Sequence, residues 1–433
     1  MRFTPMRAAP VHLRAAILAL VLAVVPPTFH DAAAQSTTPI RDVVSEVLRN
    51  NPEIQAARKE RDAAQQRIAP AGALDDPMLE AGVLNLPTNS FRFDREDMTM
   101  KMIGLSQRLP YPGKRDLRQE VAAKDAESVG HGYQETVNRM VRDARIAYFD
   151  LGLVIESTRL VEKNKSILVQ FLRIAEGRYG VGQSSQADVL KAQTQVSKMT
   201  DELIKLDRER PMIESELNRA LGRAAGAAAP VPEPPPLQAG TVQLAVLRET
   251  AYTRRPQLLA LQSIAARNER ALDLARKESY PDFDVRLSYG QRDNMLDGTR
   301  RSDMVSLTVA INLPVWRDRK IVPRVAEALA MHEQALNMYQ AQRNEVAAKL
   351  RQQAAAAEQN LKSARLYQTE ILPQSRLAVE AALAAYRVNK VDFMTLLDNQ
   401  MTVYNYEISH ATALAGYNKA LAEIDFLTGK PVQ

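Results

Sequence analysis

The sequence predicts a mainly α-helical chain with a β-barrel portion, built from long antiparallel coiled-coil helices in a duplicated, two-repeat unit that carries four strands. Three observations predict this. Landmark residues recur at a fixed offset of 204 positions, two helical runs of about 65 residues show no strong stop, and two pairs of short segments alternate apolar with polar residues.

The duplication organises the rest. Asn51-Pro52-Glu53-Ile54 resembles Arg255-Pro256-Gln257-Leu258, Asp76-Pro77 resembles Tyr280-Pro281, and Leu109-Pro110 resembles Leu313-Pro314, each pair 204 residues apart. Tyr179, Leu190 and Gln193 return as Tyr386, Leu397 and Gln400 at an offset of 207, so a three-residue insertion reconciles the blocks. The first repeat covers 35–223 and the second 241–430. A Pro/Ala-rich linker over 224–240 joins them, and its run from Pro230 to Pro236 reads as stiff, extended chain.

The N-terminal segment reads as an address. Arg2, Arg7 and Arg14 precede the apolar run Ala15 to Val25, and Ala32-Ala33-Ala34 follow. This is the order of a secretory signal peptide over 1–34, with cleavage expected after Ala34. Its 11 apolar residues fall short of the roughly 20 that a transmembrane helix needs. Removing 1–34 takes away three arginines and one aspartate, so the formal charge falls from +6 to +4, too small and dispersed for nucleic-acid binding.

Composition disfavours catalysis. There is no cysteine, and His131, His332 and His410 stand far apart. No Gly-rich phosphate loop, His-Glu-x-x-His or Ser elbow is present, so no catalytic residue, cofactor or resident metal is expected.

Each repeat runs helix, hairpin, long helix, returning helix. The leading helices are expected over about 40–70 and 242–277, and the hairpins over about 78–109 and 282–313. In the second hairpin Val285, Leu287 and Tyr289, then Val305, Leu307, Val309 and Ile311, alternate with polar residues. In the first, Leu79, Ala81 and Val83 and then Met98, Met100 and Met102 give a less regular apolar set. Polar loops over 87–97 and 291–301 connect the strands. The long helices run from Gly113 to about Glu176 and from Arg317 to about Ala385, with Pro373 expected to kink the second rather than end it. The returning helices, about 184–222 and 391–427, reverse direction at Tyr179–Gln186 and Tyr386–Asp392. Val189, Ala192, Val196, Met199, Leu203, Leu206, Arg210, Ile213, Leu217 and Ala220 keep a 3-4 spacing, a coiled-coil seam that only Arg210 interrupts. A leading and a returning helix together match the long helix in length, so they are expected to stack end to end beside it. Gly180 and Gly182 supply positive φ for the first reversal, and Asn389 stands where Gly182 falls in the second.

Four exported strands with one apolar face leave two unpaired edges, and a membrane-spanning sheet must close. Known barrels begin at about eight strands, so more than one chain must contribute: two chains give eight and three give twelve. A periplasmic coiled-coil adaptor or scaffold without a pore is the alternative, and it needs neither hairpins nor long polar loops.

The duplicated layout, Leu109-Pro110-x-x-Gly113-Lys114-Arg115, Ile371-Leu372-Pro373-Gln374, and Tyr386-x-x-Asn389-x-x-x-Phe393-x-x-Leu396-Leu397-Asp398-x-Gln400 resemble the TolC-type outer-membrane efflux proteins over essentially the whole mature chain. The resemblance implies a homotrimer with a twelve-stranded barrel in outer-membrane lipid and a helical tunnel through the periplasm. It also implies a periplasmic adaptor protein and an inner-membrane pump as partners. The tips Gly180, Val181, Gly182, Val388, Asn389 and Lys390 would then face the adaptor, and Asp188, Tyr386 and Asp398 match the positions that constrict the tunnel. Thr395 and Val391 stand where some members carry a second gate acid and a gate arginine, so the ionic lock is expected to be either weaker or rearranged through Arg387 or Lys390. Leu109-Pro110-Tyr111-Pro112-Gly113-Lys114-Arg115 and Asp75-Asp76-Pro77-Met78 look most like the heavy-metal-efflux branch. Met98, Met100 and Met102 would share a strand face and offer soft thioether ligands, against the plainer reading that they pack against lipid or a neighbouring strand. His410 falls on the seam as a packed or tunnel-lining residue.

Overall fold

In the computed structural model, residues 37–234, 237 and 243–430 are described; the expected signal peptide and part of the linker lie outside them.

The leading helix of the first repeat is not continuous. It forms α1 (Ile40–Asn50), α2 (Pro52–Gln66) and the short α3 (Ile68–Gly72). Proline disfavours helical geometry in the residue before it, and Asn51 adopts extended φ/ψ accordingly. The Asn51 side chain then accepts from the Ile54 N–H at 3.1 Å, capping α2. The second repeat breaks at the matching Arg255-Pro256, between α6 (Leu244–Arg254) and α7 (Pro256–Lys277).

The strands are β1 (Met78–Leu84), β2 (Met100–Leu109), β3 (Phe283–Gln291) and β4 (Met304–Ile311), in one antiparallel sheet of order β1-β2-β3-β4. The β2–β3 pair joins the repeats. Register places Leu79 opposite Leu105, Leu105 opposite Leu287 and Leu287 opposite Leu307, so odd-numbered residues form one apolar face. Even-numbered residues, among them Gly104, Ser106, Arg286, Ser288 and Thr308, form the other. This corrects the expected apolar set of the first hairpin. Met100 and Met102 lie on the polar face, because pairing with β1 puts Ile103 and Leu105 beside Ala81 and Leu79. Met98 sits in the turn before β2, so the three methionines do not line one strand.

The loops from the two hairpins hold each other. The Arg301 guanidinium donates to the carbonyls of Asp293, Glu96 and Phe93 at 2.5, 2.5 and 2.8 Å. One side chain thus satisfies carbonyls from both loops.

α4 (Lys114–Gly180) has 67 residues, a rod of about 100 Å at 1.5 Å per residue. Its counterpart is α8 (Arg317–Leu366) and α9 (Leu372–Arg387), separated by a single wide turn over Tyr367–Ile371. Pro373 has no N–H to give to the preceding turn and its ring crowds that turn; widening relieves the crowding without ending the rod. The Leu372 N–H reaches five residues back, to the Tyr367 carbonyl. The returning helices are α5 (Gln186–Leu221) and α10 (Phe393–Thr428).

End-to-end stacking is observed. Gly222, just past α5, has φ +73, and its absent Cβ would lie 2.6 Å from the Asn50 carbonyl oxygen at the end of α1. Asn51 Nδ2 seals the junction by donating to the Ala220 carbonyl at 2.8 Å. Gly429, past α10, meets the Arg254 carbonyl in the same way. There Arg255 takes the place of Asn51, 4% exposed, donating to Glu135 of α4 at 3.2 Å and stacked on Phe426.

Burial follows the rods rather than a single centre. Val43, Val47, Ile54, Met140, Ala144, Leu151, Leu217 and Leu221 join α1, α2, α4 and α5, while Leu168, Phe171, Ala192, Met199, Phe393 and Leu396 form a separate cluster near the reversals. Ala192, Met199, Leu217 and Ala220 of the seam are buried, and Arg210 turns out to pair with Glu214. Where repeat meets linker, Thr38 N–H donates to the Val231 carbonyl, and the Tyr148 hydroxyl donates to Thr38 and accepts from the Glu233 N–H, both at 2.8 Å. No described helix is long and apolar enough to cross a membrane.

Candidate functional site

The two reversals are built alike. After α4, the Gln183 N–H reaches the Arg178 carbonyl and the Gly182 N–H reaches Tyr179; after α9, Lys390 N–H reaches Ala385 and Asn389 N–H reaches Tyr386. Both are Schellman ends, which need a left-handed residue. Gly182 at φ +74 and Asn389 at φ +61 supply it. Gly180, also expected to take positive φ, is instead the last residue of α4, because Gly182 alone occupies the position that the motif requires.

The returning helices start from matched caps. The Ser185 hydroxyl accepts from the Asp188 N–H, and Asp188 Oδ2 in turn accepts from the Ser184 hydroxyl at 2.7 Å and the Ser185 N–H at 3.2 Å. At the equivalent place Asp392 Oδ1 accepts from the Thr395 N–H at 2.8 Å. The Asp188 carboxylate is therefore engaged in its own helix end. Asp398 is exposed on α10, and its carboxylate has no partner among the described residues.

Tyr386 is 4% exposed and packs on Phe393, with ring centroids 5.7 Å apart. Among the described residues its hydroxyl is buried without a partner, so it makes no hydrogen bond to Asp398 within the chain. Arg178, from the other reversal, holds it instead. The guanidinium lies 4.5 Å from the ring centroid and Nη1 donates to the Tyr386 carbonyl at 2.5 Å. Arg387 and Lys390 are exposed and take no part. Sequence reasoning missed Arg178, because an arginine in the last turn of a helix reads as a partner of the helix dipole.

Farther along the rods, α4, α9 and α10 share a buried polar layer. Glu407, with an 8% exposed side chain, accepts from Lys163 at 2.9 Å and Arg376 at 2.7 Å. Gln400 donates to Asn164 at 2.8 Å, and Asn164 Nδ2 lies 3.2 Å from the Met199 sulfur. Burial pushes the Glu407 pKa up, but hydrogen bonds from Lys163 and Arg376 outweigh it and hold the carboxyl below the usual glutamate range. A depressed carboxyl pKa gives stability that is present above the unfolded value of 4.5 and lost as pH falls through the folded one. The thermal midpoint should therefore drop below about pH 4.5, and Glu407→Gln should lower it at pH 7 by about 1–3 kcal/mol of stability while flattening that acid limb. An unchanged acid limb in the variant would assign the pH dependence elsewhere. His410 is half-buried, and burial pushes its imidazole below the ordinary histidine range, with Glu156 opposing.

Among the described residues, no group of three or more His, Cys, Asp or Glu is placed to hold a metal ion. A metal site built on Met98, Met100 and Met102 loses its basis in the strand geometry.

Comparisons with known proteins agree with this architecture. The outer membrane efflux protein family matches residues 43–223 and 247–430, two segments that correspond to the two repeats. The cobalt-zinc-cadmium resistance protein CzcC of Cupriavidus metallidurans is 22% identical over 415 residues, covering 93% of each chain. The solved structure of the outer membrane protein VceC of Vibrio cholerae aligns with a TM-score of 0.75 at 14% identity, over 90% of this chain and 96% of that one. The CmeC outer membrane channel of Campylobacter jejuni aligns with a TM-score of 0.76 at 13% identity, over 90% and 85%. A match over both repeats, on a scaffold of paired hairpins and through-running helices, settles the assignment: the chain belongs to the outer membrane efflux protein family, whose members are outer-membrane channels rather than enzymes.

Proposed function

We propose that this chain is the outer-membrane duct of a tripartite efflux system that exports divalent transition-metal cations, working as a homotrimer with a periplasmic adaptor and an inner-membrane pump. The observation that carries the duct is the sheet: one apolar face, one polar face and two free edges, β1 and β4, in the single chain. Three copies closing edge to edge make a twelve-stranded barrel with the apolar face toward outer-membrane lipid and the polar face toward the bore.

The reversals form the opposite, periplasmic end. Val181 and Val388 are 68% and 62% exposed there, apolar tips suited to an adaptor's helices, with Gly180, Gly182, Asn389 and Lys390 around them. The unpaired Asp398 carboxylates, repeated by symmetry, attract cations and repel anions at the constriction, with Asp188 behind them. Tyr386 and Arg178 hold the two coils of one protomer together. Transition-metal cargo is supported by the likeness to CzcC and by a duct whose constriction carries free acids.

Two measurements test the reading. Purified protein in planar bilayers should give stepwise cation-selective currents from a heat-modifiable trimer; absence of currents rules out the duct. A strain lacking the gene should lose tolerance to cobalt, zinc or cadmium salts and regain it with the gene, and unchanged tolerance rules out the cargo but not the duct.

A further inference from the structure

A cavity lies between α1, α4 and the C-terminal ends of α6 and α10. It holds about 570 Å³ and is ringed by Arg41, Arg142, Arg145, Arg254 and Lys430, with Asp425 as the one acid in its lining and Phe426 in its wall. Asp425 is already shared between Arg145 at 2.9 Å and Lys430 at 3.3 Å. Arg142 is taken by Asp143 and Glu423, at 2.7 and 3.4 Å, and lies 4.4 Å over the Phe426 ring. Arg41 and Arg254 are left over: neither side chain has a hydrogen bond or ion pair among the described residues. They come from different repeats and line the same cavity.

The scaffold does not ask for these two cations. α1 and α6 are each 11 residues long and match at the offset of 204. At that offset Arg41 corresponds to Ala245 and Arg254 to Asn50, so the duplicated framework is built equally well with neutral residues. Two surplus guanidiniums beside an apolar wall make a receptor for an oxyanion joined to an apolar body, and the planar guanidinium fork suits a carboxylate.

Depth selects among anions. Asn138 and Arg145 of the cavity lie 24–31 residues into α4 from Lys114, about 36–47 Å along the rod from the sheet. With the sheet in the bilayer, lipid headgroups end well short of that level. We infer that this cavity binds a carboxylate-bearing peptide of the periplasmic cell wall, anchoring the duct to that polymer at mid-height. The inference rests on the outer-membrane reading above.

The test uses the purified full-length trimer and isolated cell-wall sacculi. Wild type should co-sediment with sacculi, less so as salt rises. The double variant Arg41→Glu/Arg254→Glu should bind about tenfold more weakly. Arg208→Glu, at an exposed arginine on α5 with no side-chain partner among the described residues, should bind as wild type does. Bilayer conductance reports separately on the duct: the double variant should conduct normally, which shows that it is folded, and if wild type forms no channel it is the outer-membrane reading that fails. The proposal is overturned if wild type does not sediment with sacculi, if the double variant sediments as wild type does, or if Arg208→Glu loses binding equally. It is also overturned if inorganic phosphate or anionic phospholipid vesicles displace the sacculi as readily as a soluble acidic stem peptide does.

Discussion

Replacing Arg178 by alanine is expected to raise single-channel conductance in planar bilayers severalfold. The Arg178 guanidinium joins the end of α4 to the end of α9 in two ways, over the Tyr386 ring and onto the Tyr386 carbonyl. A cation–π contact of this kind contributes about 0.5–2 kcal/mol, and a hydrogen bond from a charged donor about 1.5–3 kcal/mol. Losing both in each protomer shifts a closed-to-open balance by more than a factor of ten. Arg178→Lys keeps the charge but loses the planar fork, so it should fall between the two. Asp398→Ala in the same assay should also raise conductance and weaken cation selectivity, because it removes the free carboxylates without touching the latch. Unchanged conductance in Arg178→Ala would mean that the contact is only a packing feature of the two helix ends.

The second large effect is on assembly. Gly222→Val should destabilise the protein by about 2–5 kcal/mol, because a left-handed L-residue costs roughly 1–2 kcal/mol and crowding in a packed site another 1–3. The crowding is specific: a Cβ at 222 meets backbone, the Asn50 carbonyl oxygen at 2.6 Å and its carbon at 3.0 Å, which cannot rotate away. Gly429→Val should behave alike, since its Cβ would meet the Arg254 carbonyl at 2.7 Å. Gly226→Val, with nothing within 4 Å, is the control and should melt with wild type. The readout is the temperature at which the detergent-solubilised trimer dissociates. Equal melting of all three variants would remove the butted helix ends from the account of stability.

Much of this was legible in the sequence, for reasons that can be named. The duplication survives as Pro pairs, because proline marks helix starts and strand ends in both copies. The seam from Val189 to Ala220 was readable, because coiled-coil packing repeats at a spacing that sequence preserves. The leading helices, expected to be continuous, are broken at Asn51 and Arg255, since the effect of Pro on the residue before it outweighs the helical period. The face of β2 is not readable from sequence because three alternating methionines mimic an apolar face, and only the register with β1 decides which residues share the face of Leu79 and Ala81. At the reversals, residue types at special φ were readable while partners were not. Asn389 could be placed, but Arg178 meets Tyr386 across 208 residues of chain, and no local pattern encodes that.

The two repeats are not mechanically equal. In each, one rod is butt-jointed from two short helices and splinted by a through-running partner. In the first repeat the splint, α4, is unbroken along its whole length. In the second, the splint itself carries a weak link at Tyr367–Ile371, just ahead of Pro373. Bending stress applied at the tips should therefore be taken up by the second repeat, with α9 yielding about the wide turn while the first repeat stays straight. A ring of three such chains alternates stiff and compliant staves, so its mouth is expected to dilate by moving every second one.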